Sequence, residues 1–198
     1  MGYAIAEAAI EAGHEVVLIS GPVNIDRPRG AAVIPISTSD EMLRAVHQHA
    51  RNCDVLVMCA AVADYKPAKV SRTKIKKRDA NLSLELIPTR DILASLPKQD
   101  RSSAGRIRRG EQYLVVGFAA ETENLGPNAR KKLQDKHCDI VVANDASIGM
   151  ESGENEVEIY FRDDGMKKIS RAPKKIVARE LIKIFENVCE KRLTKKIA

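Results

Sequence analysis

The chain has 198 residues, of which 44% are hydrophobic and 30% are charged, enough apolar material for one substantial core. We therefore expect a single domain. Lys and Arg (33) outnumber Asp and Glu (27), and the net charge of +6 favours anionic partners. Only 4% of the residues are aromatic. Because proteins that bind single-stranded nucleic acid stack bases on aromatic side chains, this composition argues against a nucleic-acid partner.

The four cysteines, Cys53, Cys59, Cys138 and Cys189, form no CxxC pair and have no histidine at ligand spacing. This pattern predicts neither a zinc site nor a disulfide framework, and it fits a reducing cytoplasm. No apolar run reaches the roughly 18 residues that a membrane span needs. Because no basic region precedes an apolar stretch at the start, we expect neither a signal peptide nor a membrane partner.

Short apolar runs alternate with helical stripes along the chain. The predicted helices cover residues 2–12, 39–50, 91–96, 128–136 and 173–190. The predicted strands cover residues 15–20, 33–36, 54–59, 113–118, 139–143, 156–161 and 167–170. Gly13 closes the first helix and Ser39 is the predicted N-cap of the second.

The order of these elements predicts an α/β fold of the Rossmann-like, doubly wound type, with a mostly parallel sheet between helices. Asp164-Gly165, between the last two strands, is a hairpin signal, so we expect an antiparallel hairpin at one edge. Residues 97–112 are polar and basic, which indicates a solvated loop. We expect the basic tail after residue 190 to fray.

One predicted strand leads directly into an acidic and then lysine-rich segment. After residues 54–59 the chain carries Ala60, Ala61, Asp64, Lys74, Lys76 and Lys77. In open α/β sheets ligands bind at the carboxyl ends of the strands, where small residues let the backbone approach a ligand. The lysines either bind phosphate groups or form an ordinary solvated face. Asp64 is either a ligand or metal contact or a turn cap.

A second strand ends in the same way, with Gly-Phe-Ala-Ala-Glu-Thr at residues 117–122. Phe118 either packs on a base or belongs to the core. Lys132 and Lys136 are four residues apart and therefore share one face of the following helix. Asn144-Asp145 closes the next strand, as a ligand contact or as a helix cap.

In a dinucleotide-binding fold a strand and a glycine-rich turn come before the first helix, and this sequence lacks both. Its own first helix, which has small residues and leads into a strand, resembles that first helix. An NAD site usually offers an acidic side chain to the ribose at the end of that strand, but this chain has Ser20-Gly21-Pro22 there. The sequence therefore disfavours a nicotinamide-dependent oxidoreductase or a nucleotide-sugar enzyme of Rossmann type.

Six segments, taken in order, resemble the phosphopantothenate–cysteine ligases of coenzyme A biosynthesis. In bacteria and archaea these usually form the C-terminal half of a bifunctional flavoprotein. The segments are Met-Gly-Tyr-Ala-Ile-Ala at 1–6, Ser-Gly-Pro-Val at 20–23, Ala-Ala-Val-Ala-Asp-Tyr at 60–65, Lys-Ile-Lys-Lys at 74–77, Gly-Phe-Ala-Ala-Glu-Thr at 117–122 and Val-Ala-Asn-Asp at 142–145.

The resemblance implies a two-step ligation. The carboxylate of 4'-phosphopantothenate attacks the α-phosphate of CTP and releases pyrophosphate, and the amine of L-cysteine then displaces CMP from the acyl-cytidylate. The resemblance also implies Mg²⁺ with the triphosphate, although the sequence assigns no metal ligand. A homodimer with active sites near the subunit interface is expected, as is a decarboxylase domain or chain as a partner.

The same resemblance assigns roles to four side chains. Lys74 matches the lysine of the family that contacts phosphate and is the expected catalytic residue. Lys132 and Lys136 match nucleotide-binding lysines on a helix, and Phe118 matches an aromatic residue that contacts the base.

Two further segments match the walls of the site. Ala60, Ala61 and Asp64 match a segment that lines the shared pocket for the nucleotide and the acid. Asp91 and Ile92 match a nucleotide contact that usually reads Asn-Pro-Asp-Ile, although this chain has arginine in place of the proline.

The family pattern has a strand, a turn and a glycine-rich loop before the first helix, and this sequence begins inside that helix. The resemblance therefore implies that residues 1–198 are a single nucleotide-binding ligase domain lacking its first strand and glycine-rich loop. Such a chain would be poorly active alone, because the parallel sheet would lack a central member. An inactive truncated remnant that serves as a nucleotide-binding or interaction module is the alternative function.

Overall fold

The computed structural model describes residues 1–77, 81–97, 113–145 and 153–194. The helices in these ranges are α1 (Gly2–Glu11), α2 (Ser39–Ala50), α3 (Leu125–Asp135) and α4 (Lys174–Thr194). The strands are β1 (Val16–Ser20), β2 (Ala31–Pro35), β3 (Val55–Met58), β4 (Tyr65–Pro67), β5 (Leu86–Pro88), β6 (Leu114–Glu121), β7 (Ile140–Asp145), β8 (Glu154–Phe161) and β9 (Met166–Pro173).

Five strands form the main sheet, in the order β3-β6-β7-β8-β9. The first three are parallel, with Val116 of β6 opposite Val57 on one side and Ile140 on the other. β8 and β9 continue the sheet as an antiparallel hairpin. Asp164 adopts a left-handed conformation in its turn, with φ of 63°. Both the parallel sheet and the edge hairpin are therefore confirmed.

Helices cover both faces of the main sheet. On one face, Ile5 of α1 and Leu181 of α4 pack against alternate residues of β6 and β7, such as Val116 and Val142. On the other face, α3 packs on the intervening residues, and Met42 and Val46 of α2 form a smaller cluster with Ile92. Because β6 and β7 are buried on both faces, they read as continuous apolar runs rather than as alternating patterns.

β1 and β2 form a separate parallel pair. Within the described ranges this pair is joined to the main sheet through helices and not through a hydrogen-bonded strand. β4 and β5 form a third, antiparallel pair that the sequence does not predict, because three residues on each side are too few to show a periodic pattern.

The predicted helix at residues 91–96 is wrong. The segment makes turns, in which the N–H of Ser95 donates to the carbonyl of Asp91 at 3.0 Å and the Asp91 carboxylate accepts from the N–H of Ala94 at 2.8 Å. Pro97 follows at once. The segment is too short to repay the cost of helix nucleation, so its apolar residues fix it against the core instead.

The other element boundaries differ by a few residues. β6 continues to Glu121, α3 begins at Leu125, and α4 continues to Thr194, beyond the predicted ends. The N-cap of α2 is Thr38 and not Ser39. Most of the predicted loop at residues 97–112, and the last four residues of the basic tail, lie outside the described ranges. Among the described helices, none has both the length and the apolar character to cross a membrane.

Candidate functional site

The segment after β3 lies at the carboxyl edge of the main sheet. β3 ends at Met58, opposite Gly117 of β6, and the chain leaves the sheet through Cys59. Ala60, Ala61 and Asp64 are exposed there. Small exposed residues at this edge leave the backbone open to a ligand, as the sequence predicts.

Thr89 ties this segment to the turn that follows β5. Its N–H donates to the carbonyl of Asp64 at 2.8 Å, and its hydroxyl donates to the carbonyl of Ala63 at 2.6 Å. These two bonds bring Asp91, two residues later, to the same part of the molecule. Sequence reasoning missed Thr89, because its partners are 25 or more residues away and nothing local identifies them.

Asp91 and Lys136 form an ion pair, with 2.6 Å between Oδ2 and Nζ. Partial burial acts to raise the pKa of Asp91, but hydrogen bonds from the Ala94 N–H and from Lys136 outweigh it and lower that pKa. The hydrogen bond to Asp91 raises the pKa of Lys136. Both groups are therefore held in their charged forms.

Lys132 lies beside this pair, at the carboxyl edge of the main sheet. Its ammonium donates to the carbonyl of Phe118 at 2.6 Å. The carbonyls of successive residues in a strand point to alternate sides. The carbonyl of Val115 accepts from the Asp139 N–H and therefore faces β7. Phe118 comes three residues later, so its carbonyl faces the other side, toward β3. β3 ends opposite Gly117, and Lys132 satisfies the carbonyl that lies just past that end.

Gly117 lies close to the side chain of Cys138. A Cβ at this position would be 3.0 Å from Sγ of Cys138 and 3.9 Å from Cε of Lys132. A Cβ here would crowd the sulfur of Cys138, whereas its distance from Lys132 is an ordinary van der Waals contact. Packing against Cys138 therefore favours glycine at this position.

The structure brings Asp91, Lys132 and Lys136 together; we call these three residues the charged cluster. Ile92, next to Asp91, is buried and anchors the turn in the core. The side chain of Phe118 is partly buried against the core beneath α1 and α4.

Lys74 is not part of the charged cluster. It is exposed, together with Lys76 and Lys77, on the chain between β4 and β5. Among the described residues, no ion pair or hydrogen bond joins Lys74 to the charged cluster. The predicted roles of Lys74 and Phe118 stay predictions.

Comparison with known proteins assigns the family. A model described as "DNA/pantothenate metabolism flavoprotein C-terminal domain" matches residues 1–188. This chain belongs to that family. The resemblance inferred from the six sequence segments is thereby confirmed.

Relatives of this chain include proteins described as bifunctional. The "Coenzyme A biosynthesis bifunctional protein CoaBC" of Bacillus subtilis is 39% identical over 186 residues, which are 92% of this chain and 43% of that protein. The chain therefore spans less than half the length of this relative.

Two solved structures share the fold. The C-terminal domain of a CoaBC protein matches with a TM-score of 0.75 and 36% identity, covering 96% of this chain and 82% of that one. A Cab2 mutant in complex with phosphopantothenate-cysteine matches with a TM-score of 0.62, covering 85% of this chain and 56% of that one. At 16% identity the second match shows the fold alone.

The carboxylates in this family member are poorly arranged for a metal site made of protein ligands. Within the described ranges, no group of three His, Cys, Asp or Glu side chains is close enough to hold a metal ion. The Asp91 carboxylate is bound to Lys136, whereas the exposed Asp64 is available at the sheet edge. An exposed carboxylate of this kind is an oxygen donor that Mg²⁺ accepts.

Proposed function

We propose that this chain is a phosphopantothenate–cysteine ligase. The observation that carries the proposal is the charged cluster beside the carboxyl half of β6, in a chain 39% identical to a coenzyme A biosynthesis protein. Ligands of open α/β sheets bind at this edge, and two lysines give it the positive charge that a triphosphate requires. The reaction takes 4'-phosphopantothenate, L-cysteine and CTP, with Mg²⁺ as part of the nucleotide substrate.

The first step of this reaction joins two anions. A carboxylate oxygen of phosphopantothenate bonds to the α-phosphorus of CTP, while the bond from that phosphorus to the bridging oxygen breaks and pyrophosphate leaves. The cysteine nitrogen then attacks the activated carbonyl carbon, CMP departs with the carboxylate oxygen, and the nitrogen loses a proton. Cationic groups accelerate the first step by stabilising negative charge that develops on the phosphates.

Lys74 is the catalytic lysine in this proposal. Its exposed ammonium has no ion-pair partner among the described residues, so its charge is available to the triphosphate. Lys132 and Lys136 are already bound to the Phe118 carbonyl and to Asp91. A nucleotide that binds these lysines must replace those two acceptors. Ala60, Ala61 and Asp64 form the exposed walls of the proposed site, beside the turn that the buried Ile92 anchors.

The dimer belongs to the same proposal. Residues 65–77 and 81–88, which we call the β4–β5 arm, expose seven large apolar side chains and contribute none to the described core clusters. The seven are Tyr65, Val70, Ile75, Leu82, Leu84, Leu86 and Ile87. A concentration of exposed apolar residues indicates an interaction surface, and we assign a second copy of this chain to it.

We place the reaction in the cytoplasm. The four cysteines, all in the described ranges, are free thiols, which suits a reducing compartment. The decarboxylase domain or chain stays a predicted partner.

Substitution of Lys74 by Gln tests the catalytic assignment. We expect pyrophosphate release with CTP, phosphopantothenate and cysteine to fall by about a hundredfold or more, because one charge at the developing phosphate anion is lost. Lys167→Gln, on the edge strand β9, is the matched control and should keep full activity. Full activity of the Lys74 variant would refute the assigned role.

Equilibrium binding separates the alternatives. CTP binding with turnover supports the ligase, whereas CTP binding without turnover under any substrate combination supports the remnant that only binds nucleotide. Binding of NADPH in preference to CTP would instead support an oxidoreductase.

A further inference from the structure

A hydrogen bond from His47 joins α2 to the turn at residues 91–96. Nε2 of His47 lies 2.9 Å from the hydroxyl oxygen of Ser95, which is 48 residues later in the chain. The Ser95 hydroxyl donates to the carbonyl of Ile92 at 2.7 Å. Because a hydroxyl has one proton to donate and two lone pairs that accept, its bond with the imidazole is one in which Ser95 accepts. Nε2 of His47 is therefore the donor.

The apolar contacts of α2 place His47 beside this turn. Met42 and Val46 form a buried cluster with Ile92. Leu43, which is one helical turn before His47 and on the same side of α2, packs against that cluster. Burial of apolar surface holds the turn against the helix but has no preferred direction. A hydrogen bond does have one, so the bond from His47 fixes how the turn sits on α2.

The backbone of the turn in its own right orients Asp91. The N–H of Ser95 donates to the carbonyl of Asp91 at 3.0 Å, and the N–H of Ala94 donates to Oδ1 of its carboxylate at 2.8 Å. The other carboxylate oxygen, Oδ2, is bound to Lys136. A shift of Ser95 would move the backbone groups that hold Asp91. A continuous set of bonds therefore runs from His47 through the turn to Lys136.

We infer that His47 is a positioning residue of the nucleotide site. It acts through Ser95 and holds the turn in the arrangement that places Asp91 against Lys136. The inference rests on the proposed ligase function, in which this turn lies beside the bound CTP. Without the His47 bond, the turn must be ordered when CTP binds, and the cost of ordering a loop weakens binding.

Equilibrium binding of CTP in the presence of Mg²⁺, measured by isothermal titration calorimetry on the full chain, tests this role. His47→Leu removes the donor and should raise the dissociation constant of CTP by about three- to tenfold, the effect of losing one hydrogen bond. His47→Gln keeps an N–H donor and should restore most of the affinity. Gln48→Leu, at the next and exposed position of α2, is the matched control and should bind CTP as the unchanged chain does.

Ser95→Ala completes a double-mutant cycle. It removes the acceptor, so it should weaken CTP binding about as much as His47→Leu does. If His47 acts through the Ser95 hydroxyl, adding His47→Leu to Ser95→Ala should have little further effect. Fully additive effects of the two substitutions would overturn the inference, because they would show that the two side chains act independently.

Amide hydrogen exchange reports on the turn without any nucleotide. The N–H groups of Ala94 and Ser95 both donate to Asp91. We expect these two amides to exchange at least about threefold faster in His47→Leu, and to recover their protection in His47→Gln. Unchanged exchange at both amides in His47→Leu would overturn the inference, whatever the ligase activity of the chain.

The results also separate this inference from the proposed function. If the unchanged chain binds CTP and His47→Leu binds it equally well, the positioning role is overturned and the ligase proposal stands. A lower melting temperature of His47→Leu with an unaltered dissociation constant has the same meaning, because His47 would then only stabilise the fold. Absence of CTP binding by the unchanged chain would refute the ligase, and the role of His47 in nucleotide binding would fall with it.

Discussion

Asp91 and Lys136 connect two parts of the chain that are 45 residues apart in sequence, a turn and the end of a helix. The two side chains are 45% and 33% exposed, so solvent screens the pair and its contribution to stability is modest, about 0.2–1 kcal/mol. Its main effect is positional, because it fixes one of the two cluster lysines beside the turn that carries Ile92.

The pH dependence of this pair follows from its shifted pKa values. Because the folded chain lowers the pKa of Asp91, the pair stabilises the fold above the ordinary Asp value of about 3.9 and loses that effect as pH falls through the lowered value. Because the pKa of Lys136 is raised, the effect persists below about 10.4 and is lost as pH rises through the raised value. Urea unfolding should show the chain to be more stable than Lys136→Gln at pH 7, with a difference that disappears in acid. An equal difference at both pH values would contradict this reasoning.

Asp139 is a second residue whose charge is built into the fold. Its side chain is 1% exposed, accepts from the N–H of Val115 at 2.9 Å, and contacts Arg162 and Arg192. Asp139→Ala removes the acceptor of the buried Val115 N–H, while the two arginines it contacts are 44% and 36% exposed and stay solvated, so we expect a loss of about 1–3 kcal/mol in the free energy of unfolding. Asp26→Ala, in an exposed loop, should change it by less than about 0.5 kcal/mol. Similar losses in the two variants would show that the Asp139 carboxylate makes no special contribution to the free energy of unfolding.

At the scale of elements, the N-cap of α2 lies one residue before the position that the sequence predicts. Ser39 and Thr38 are both good N-cap residues, and the sequence pattern does not separate them. Glu41 does separate them in the structure. Its N–H donates to the Thr38 hydroxyl at 3.2 Å, while its carboxylate accepts from the Thr38 N–H at 3.0 Å, which forms a capping box.

Alanine substitutions at these two positions provide a matched test. Thr38→Ala removes the acceptor for the Glu41 N–H and should lower the free energy of unfolding by about 1 kcal/mol. Ser39→Ala places a better helix former inside the first turn and should have little effect. Thermal unfolding followed by circular dichroism measures both variants, and a larger loss for Ser39→Ala would place the cap at Ser39 after all.

At the scale of the whole molecule, the β4–β5 arm is the part that the described core does not explain. Its strand pair is short, and its apolar residues, including Leu82 at 73% exposure and Leu84 at 61%, face solvent. Two-stranded pairs of this kind are marginal without packing against something else. The proposed dimer supplies that packing.

Replacement of Leu82 and Leu84 together by Ser tests the dimer. A fully buried Leu contributes about 1.5–3 kcal/mol, so the loss of two from each of two copies should raise the dimer dissociation constant by more than about a hundredfold. Analytical ultracentrifugation over a range of concentrations measures this change. Ile176→Ser, at an exposed apolar position on α4, is the control and should leave the association unchanged. A chain that is monomeric at all concentrations before any substitution would refute the dimer.

The sequence by itself determined the features that depend on short-range pattern. Alternating apolar runs and helical stripes were enough to predict the parallel sheet, the helices on both faces and the hairpin at Asp164-Gly165. Order and spacing of the six segments were enough to identify the family. The signals for strands and helices are local, because an element of ordinary length shows its period within its own residues. The prediction of a single domain without its first strand stays untested.

Tertiary structure alone decided how distant segments meet. The bonds of Thr89 to the loop after β3, the pairing of Asp91 with Lys136 and the Lys132 contact with the Phe118 carbonyl each join residues at least 14 positions apart. Turn residues 91–96 took their shape from these contacts and from burial of Ile92, not from helical propensity.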